Sequence, residues 1–136
     1  MSKGLTSSLL VGIGGFAGSL ARYGLSLLAQ GVSIEWPFGT LAANVLGCFA
    51  IGAVAELSSR GEALSPETRL FLATGFCGGF TTMSSMVYET MQMVKGNEYF
   101  LASLYAGVTL IGSIAAFLAG AIIVRMALKA TGGLWN

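Results

Sequence analysis

The sequence predicts an all-α membrane protein, a single domain (residues 1–136) that crosses the bilayer four times. The composition is 54% hydrophobic and only 10% charged, which is too apolar for a soluble domain of this size. Uncharged runs long enough to span a hydrocarbon core of about 30 Å lie at residues 4–21, 36–55, 70–88 and 99–124. Because short polar stretches separate these runs, we expect helices at about residues 4–29, 38–58, 67–94 and 98–129.

The residue types that are missing exclude several functions. The chain has no histidine and no aspartate, which removes most metal sites, Ser-His-Asp triads and ordinary proton relays, so we expect no enzyme. The net charge of +1 argues against a nucleic-acid partner. Cys48 and Cys77 both lie in apolar runs and are interpreted as small packed residues rather than a disulfide. We expect a multi-pass protein of the inner (plasma) membrane, surrounded by lipid.

The first predicted helix carries closely spaced glycines and one arginine. Gly14 and Gly18 form a small-xxx-small pair, which is typical of close helix contact. Arg22 must contact a partner or water, or extend to the interface, because its charge is costly in hydrocarbon. The apolar run continues past Arg22 to about residue 29, so it does not have the arrangement of a cleaved signal peptide.

The second predicted helix begins near Trp36 and Pro37, residue types that favour the membrane interface and the first helical turn. Asn44 follows Thr40 by four residues and therefore shares its helix face. An asparagine at membrane depth must be hydrogen-bonded. Asn44 therefore either bonds a neighbouring helix or serves as a donor that lines a polar path.

The third predicted helix holds the stretch around which the chain is organised. Its centre contains an adjacent glycine pair, Gly78 and Gly79, and each glycine costs about 1 kcal/mol relative to alanine in a helix. We therefore expect this helix either to pack very closely or to break and form a site. Broken backbone would supply carbonyls for a small cation and amides for an anion. Hydroxyls that accompany it are those of Thr81, Thr82, Ser84 and Ser85.

Two further features follow in the sequence. Met83 and Met86 are three residues apart and share a face, as packing residues or as a pore lining, while Glu89 is either interfacial or a buried carboxylate near the path. The fourth predicted helix carries a polar stripe at four-residue spacing, which either bonds its own helix or forms a polar track. The stripe consists of Tyr105, Thr109 and Ser113.

Three motifs resemble the Fluc (CrcB) family of fluoride channels over nearly the whole chain. The first is Gly-Gly-Phe-Ala-Gly-Ser-Leu-Ala-Arg-Tyr at residues 14–23. The second is Pro-Phe-Gly-Thr-Leu-Ala-Ala-Asn-Val-Leu-Gly at residues 37–47. The third is Thr-Gly-Phe-Cys-Gly-Gly-Phe-Thr-Thr at residues 74–82, followed by Ser84 and Glu89. The last two are specific, and their occurrence together with four spans makes chance similarity improbable.

The resemblance implies passive export of cytoplasmic fluoride, which relieves fluoride toxicity, through two pathways in an antiparallel, dual-topology dimer. It also implies a structural sodium ion (Na+) at a break in the third helix, held by the backbone carbonyls of Gly78 and Thr81 of both subunits. Arg22 matches the family's arginine near the vestibule. The residues matching the fluoride pathway are Asn44, Met83, Met86, Ser84, Ser85, Thr109 and Ser113.

The chain departs from the family pattern in two ways. Met83 and Met86 stand where the family usually has phenylalanines, whose positive ring edges contact an anion, so the passage of fluoride here must differ. The basic residues are also unevenly distributed, which favours one orientation and raises the alternative of a paralogous partner subunit. We favour a homodimer because one chain carries the whole motif. One predicted side of the membrane carries only Lys95, and Arg22 is assigned to neither side. The other side carries five basic residues: Lys3, Arg60, Arg69, Arg125 and Lys129.

Two other classes of protein fit some of these observations. A small proton-coupled drug exporter also has four spans, but it needs a membrane-embedded acid. The first predicted helix has none, and Glu89 lies near a helix end. A non-transporting scaffold explains the glycines but leaves Asn44 and the clustered hydroxyls without a role.

Overall fold

The fold is described from a computed structural model over residues 3–31, 36–59 and 64–130, and all regular structure in these ranges is helical. Four helical spans are long and apolar enough to cross a membrane: Lys3–Gln30, Phe38–Ser59, Pro66–Lys95 and Tyr99–Ala130. These spans confirm the all-α, four-span fold class of a multi-pass membrane protein. Arg60, which entered the charge comparison, lies outside the described residues.

The first two spans and the last are single helices. We label them α1 (Lys3–Gln30), α2 (Phe38–Ser59) and α5 (Tyr99–Ala130). Phe38 follows Pro37, and the Leu41 amide donates to the Pro37 carbonyl at 3.2 Å, so proline precedes the helix without costing an internal hydrogen bond.

The third span has two helical parts. Helix α3, residues 66–80, begins at Pro66 after the N-cap Ser65 and has wider π-helical turns over Leu70–Cys77. Helix α4 covers Met83–Lys95. Thr81 and Thr82 between them have extended backbone, with φ and ψ of −82° and 154°, and −152° and 115°. We call these two residues the extended dipeptide.

The spans pack as two parallel pairs at glycine contacts. Along α1 and α3, Gly14 lies against the Phe71 carbonyl and Gly18 against the Phe76 carbonyl. A Cβ at Gly14 would lie 2.6 Å from the Phe71 oxygen, so any side chain there would push the helices apart. The small-xxx-small prediction for α1 is therefore confirmed.

Close contacts at glycines also join α2 to α5. Gly52 packs on the Phe117 backbone and Gly120 on the Phe49 carbonyl, so both helices present a glycine to the other. In the 18-residue apolar window of each span, 39% of the window is buried inside the protein for α2, but only 11% for each of the other three spans. Helix α2 is therefore the centre of the fold, and it carries Asn44.

An ion pair joins α2 and α5 near one end. Arg125 Nε and Nη2 donate to the two carboxylate oxygens of Glu56, each at 3.0 Å. The Glu56 side chain is 8% exposed and that of Arg125 is 54% exposed. The guanidinium thus neutralises a carboxylate that would be costly to bury alone, while its own outer edge stays accessible.

Candidate functional site: a groove beside the extended dipeptide

A side chain of α2 bonds the backbone of the extended dipeptide. The Thr82 amide donates to Oδ1 of Asn44 at 2.7 Å, and Nδ2 of Asn44 donates to the Thr82 carbonyl at 3.1 Å. Asn44 thus forms the pair of hydrogen bonds that a neighbouring β-strand would form. Because Asn44 is only 8% exposed, this pairing satisfies backbone groups that lipid could not satisfy.

The Thr82 side chain begins the next helix. Its Oγ1 accepts from the Ser85 amide at 3.2 Å, which makes it the N-cap of α4. The same hydroxyl bonds Ser84 Oγ at 3.2 Å and Ser85 Oγ at 3.1 Å. Ser84 and Ser85 therefore belong to a network of hydroxyls at the start of α4, where the helix dipole is positive.

Two amides at the same place donate to side chains instead of to the carbonyls that a regular helix would give them. The Gly78 carbonyl would accept from the Thr82 amide in a regular helix, but this amide donates to Asn44. The Thr81 carbonyl would accept from the Ser85 amide, which donates to Thr82 Oγ1. Both oxygens are therefore left for another partner, and carbonyl oxygens are ligands that hard cations prefer.

Arg22 contacts the backbone of the third span. Its Nε donates to the Gly79 carbonyl at 3.1 Å, and Ser19 Oγ donates to the same oxygen at 3.4 Å. The sequence left open whether Arg22 contacts a protein partner, contacts water or extends to the interface. The structure shows contact with a protein partner. Arg22 does not lie in the groove described next.

An open groove of about 430 Å³ runs beside the extended dipeptide. No acidic or basic side chain occurs in its lining, which is mostly apolar with amide and hydroxyl groups at intervals. The structure brings together here the predicted residues Asn44, Met83, Met86, Thr109 and Ser113. Met83 is 65% exposed, so its thioether extends into open space.

The polar stripe of α5 is only partly available to the groove. Thr109 is 2% exposed, and its hydroxyl donates to the Tyr105 carbonyl of its own helix at 2.8 Å. Tyr105 is completely buried, and Ser113 lines the groove farther along. For Thr109 the structure therefore shows bonding within its own helix, and this hydroxyl must rotate before it can donate elsewhere.

Glu89 accepts two hydrogen bonds from neighbouring helices. Thr40 Oγ1 donates to its Oε1 at 2.7 Å, and the Tyr105 hydroxyl donates to its Oε2 at 2.6 Å. Thr40 and Glu89 also line a second cavity of about 550 Å³ near Gln30 and Trp36. The role of Glu89, left open by the sequence, is thus that of a partly buried carboxylate beside this cavity, each of whose oxygens accepts a hydrogen bond.

Thr40 was not predicted as a site residue, although its position in the sequence could have indicated it. Thr40 precedes Asn44 by one helical turn, Glu89 follows Ser85 by one turn, and Tyr105 precedes Thr109 by one turn. Each is therefore the neighbour, on the same face, of a residue already singled out. The sequence does not show that the three faces meet, because these contacts join three different helices.

The fold and the groove define a class of protein. Three of the four spans line an uncharged, partly polar groove at an interruption of helical structure, an arrangement that is typical of small membrane transport proteins. The chain belongs to the CrcB-like protein family (Camphor Resistance, CrcB), whose sequence model matches residues 9–121. The family resemblance seen in the motifs is thereby confirmed.

Relatives from several organisms are similar to this chain over most of their length. The "Fluoride-specific ion channel FluC" of Chlorobium phaeobacteroides is 44% identical over 126 residues, which cover 93% of this chain and 98% of that protein. The protein of the same name in Chlorobaculum tepidum is 47% identical over 118 residues, covering 87% and 94%. That of Thermus thermophilus is 52% identical over 112 residues, covering 81% and 89%. These relatives are named as ion channels, so the family is not one of enzymes, as expected, and the drug-exporter alternative is not favoured.

Proposed function

We propose that this chain is a fluoride-selective channel through which cytoplasmic fluoride leaves the cell passively. Chains of 44–52% identity are named fluoride-specific ion channels, and the structure contains a groove suited to a small anion. The observation that carries the proposal is the uncharged groove beside the extended dipeptide. A passage without fixed charge lets an ion enter and leave again, since nothing in the lining traps it.

Fluoride gives up hydration only where donors replace the lost water. Nδ2 of Asn44 has two N–H bonds, and the Thr82 carbonyl occupies one of them. The other is available to an ion in the groove, next to the positive start of α4. Met83 and Met86 would then supply weakly positive methyl hydrogens in place of the aromatic edges that the family resemblance implies, and Ser113 would supply a hydroxyl farther along.

The direction of flow needs no coupling to another solute. Hydrogen fluoride that enters from an acidic exterior ionises in the cytoplasm and is trapped as fluoride. A negative interior contributes about 2.3 kcal/mol per charge per 100 mV toward export of an anion. An open selective passage therefore relieves fluoride toxicity.

We propose a structural sodium ion on the carbonyls of Gly78 and Thr81. The donor set fits such an ion, because the amides that would bond these oxygens donate to Asn44 and Thr82 instead. Bound sodium would neutralise the carbonyl dipoles and join subunits. The redirected hydrogen bonds are the support for this proposal, and they also support treating the extended dipeptide as a true break in the third helix.

We further propose that two copies associate in antiparallel orientation and form two pathways. One chain contributes one open groove and the carbonyls of Gly78 and Thr81, whose helical amide partners donate elsewhere. A second copy would cover the groove and complete a set of four oxygens. The uneven basic residues keep a paralogous subunit as the alternative partner.

Fluoride efflux from liposomes that contain this chain alone tests the proposed function. A potassium ionophore carries the compensating charge, and chloride-loaded liposomes are the control. Fast release of fluoride but not of chloride would support a selective channel made by one gene product. Absence of fluoride release from folded protein would contradict the homodimer, and restoration by a paralogous subunit would then identify the missing partner.

A further inference from the structure

We propose that a groove between α2 and α3 binds one anionic phospholipid, with the lipid phosphate on Arg69 and one acyl chain along the apolar part of the groove. The groove is open and measures about 370 Å³. We call it the lipid groove. Its lining has a polar part, made by Ser58, Ser59 and Arg69, and an apolar part that includes Ile51, Ala55 and Ala73. It is separate from the groove beside the extended dipeptide, so this proposal does not rest on the proposed function.

The direction of the helices places the polar part of the lipid groove at one end of the fold. Helix α2 runs antiparallel to the third span, since Thr40 bonds Glu89 while Gly47 lies against Thr81. The last turn of α2 and the first turn of α3 therefore lie at the same end, and the polar lining comes from these two turns. Spans leave the hydrocarbon at their ends, so these polar groups lie at the level of the lipid headgroups.

The apolar part of the lipid groove lies deeper in the membrane. Ile51 is about 12 Å farther along α2 than Ser59, at about 1.5 Å per residue. Ala55 and Ala73 lie between these levels, and their short side chains leave room for a chain of methylenes. Ala55 is exposed, so this part of the groove is accessible from the surrounding lipid. A groove that is polar at the interface and apolar below it matches the headgroup and one acyl chain of a phospholipid.

The charge at the polar part favours an anionic headgroup. Arg69 is exposed, and its guanidinium has no hydrogen-bond or ion-pair partner among the residues that the structure describes. A guanidinium binds phosphate oxygens with two parallel hydrogen bonds. Within the described ranges no acidic side chain lines the lipid groove, and Glu67 lines a neighbouring groove between α1 and α3 instead. Lys3 and Lys129, in the first turn of α1 and the last turn of α5, add positive charge at the same end.

The two serines favour a headgroup that carries hydroxyls. Ser58 Oγ donates to the Val54 carbonyl at 2.7 Å, and Ser59 Oγ donates to the Glu56 carbonyl at 2.9 Å. Both hydroxyl hydrogens are therefore in use, while both oxygens can still accept. Phosphatidylglycerol has an anionic phosphate for Arg69 and glycerol hydroxyls that donate, so its headgroup is complementary to the polar part of the groove.

Native mass spectrometry of the purified, delipidated protein in detergent tests the site. Phosphatidylglycerol and phosphatidylcholine with the same acyl chains are titrated separately, and the fraction of protein with one lipid bound per chain gives each affinity. We expect phosphatidylglycerol to bind about fivefold more tightly, which is the effect of one basic residue near an anionic membrane surface. Equal affinities for the two lipids would overturn the proposal.

Substitution of Arg69 tests where the phosphate binds. Arg69→Gln should weaken phosphatidylglycerol binding about fivefold and remove the preference over phosphatidylcholine, whereas Arg69→Lys keeps the charge and should retain most of the preference. Lys95→Gln is the matched control, because it removes the same charge at the opposite end of the fold. An equal loss of binding in Lys95→Gln and Arg69→Gln would show a general effect of charge and contradict the site.

The seat of the acyl chain is tested by filling the groove. Ala55→Trp should weaken phosphatidylglycerol binding, because the indole occupies the space of the acyl chain. Ala115→Trp, at an exposed position of α5 outside the lipid groove, is the matched control and should bind like the unchanged chain. Glycerophosphoglycerol, the same headgroup without acyl chains, should not displace the lipid at equal concentration.

Two results would overturn the acyl-chain seat. One is unchanged lipid binding in Ala55→Trp, and the other is displacement of the lipid by an equal concentration of glycerophosphoglycerol. Crosslinking of the same variants measures dimer content. If Ala55→Trp lowers the dimer content and leaves lipid binding unchanged, a second copy of the chain covers the groove in place of the lipid. None of these measurements depends on whether the chain conducts fluoride.

Discussion

At the scale of single residues, Asn44 bonds both backbone groups of Thr82. Asn44→Ala removes both partners, and each unsatisfied buried group costs about 1–3 kcal/mol. We expect fluoride efflux to fall about tenfold or more, because the donor and the shape of the passage are lost together. Efflux is measured in liposomes, and size-exclusion chromatography establishes that the protein is still folded. Unchanged efflux would exclude Asn44 from the pathway.

Met83 tests the phenylalanine that the family resemblance implies at this position. Because Met83 is 65% exposed and lines the groove, a phenylalanine has room there, and its ring edge can contact an anion. Met83→Phe should keep fluoride efflux within about threefold of the unchanged chain. Met91→Phe, at an exposed position outside the groove, is the matched control. Complete loss in Met83→Phe alone would show that the methionine belongs to a differently shaped pathway.

The sequence identifies candidate polar residues but not their partners. Asn44 stands out because an asparagine in an apolar run needs a hydrogen-bond partner. That the partner is the Thr82 backbone could not be predicted, since the two residues are 38 positions apart. The partner of Arg22 could not be predicted either, because its hydrogen bond to Gly79 depends on the packing of α1 against α3.

At the scale of helices, α1 and α3 approach so closely that their contact depends on glycine. A Cβ at Gly18 would meet the Phe76 carbonyl and would lie 2.9 Å from the Phe80 amide nitrogen. Gly18→Ala should therefore lower the free energy of unfolding by about 1–3 kcal/mol. Gly12→Ala is the matched control on the same helix, because nothing lies within 4 Å of its added Cβ. Thermal melts in detergent compare the two, and equal stability would contradict the packing.

The four spans were predictable from the sequence because length and apolarity alone determine them in a membrane. The glycine pair in the third span marks where helical structure is weak, but not which carbonyls lose their partners. That outcome depends on Asn44 of another helix and on the Thr82 cap. The π-helical turns over Leu70–Cys77 had no signal in the hydrophobic pattern.

At the scale of the whole molecule, the proposed sodium ion joins subunits and should stabilise them by mass action. Replacement of sodium by the much larger N-methyl-D-glucamine ion should weaken the dimer and slow fluoride efflux, because no ligand then neutralises the carbonyls of Gly78 and Thr81. Dimer content is measured by crosslinking over a dilution series, and return of sodium should restore it. If neither the dimer content nor the efflux rate changes when sodium is replaced, the proposed structural sodium ion is contradicted.

The arrangement of the whole molecule also accounts for its apolar surface. Large exposed side chains cover α1 and α5, including Phe16, Leu28 and Ile111. Lipid or a second copy must cover them, as expected for a chain with four membrane spans. The sequence predicts this surface but not how it is divided between lipid and partner, because that division depends on the subunit interface.

The central claim is that this chain alone conducts fluoride passively and selectively. The most direct measurement is the reversal potential of the current across a planar bilayer, with unequal fluoride concentrations on the two sides, chloride making up the difference, and a variable pH gradient. A passive, fluoride-selective channel should reverse near the equilibrium potential of fluoride, unaffected by the pH gradient. Reversal that moves with the pH gradient would contradict it and indicate proton coupling, for which Glu89 would be the first residue to examine.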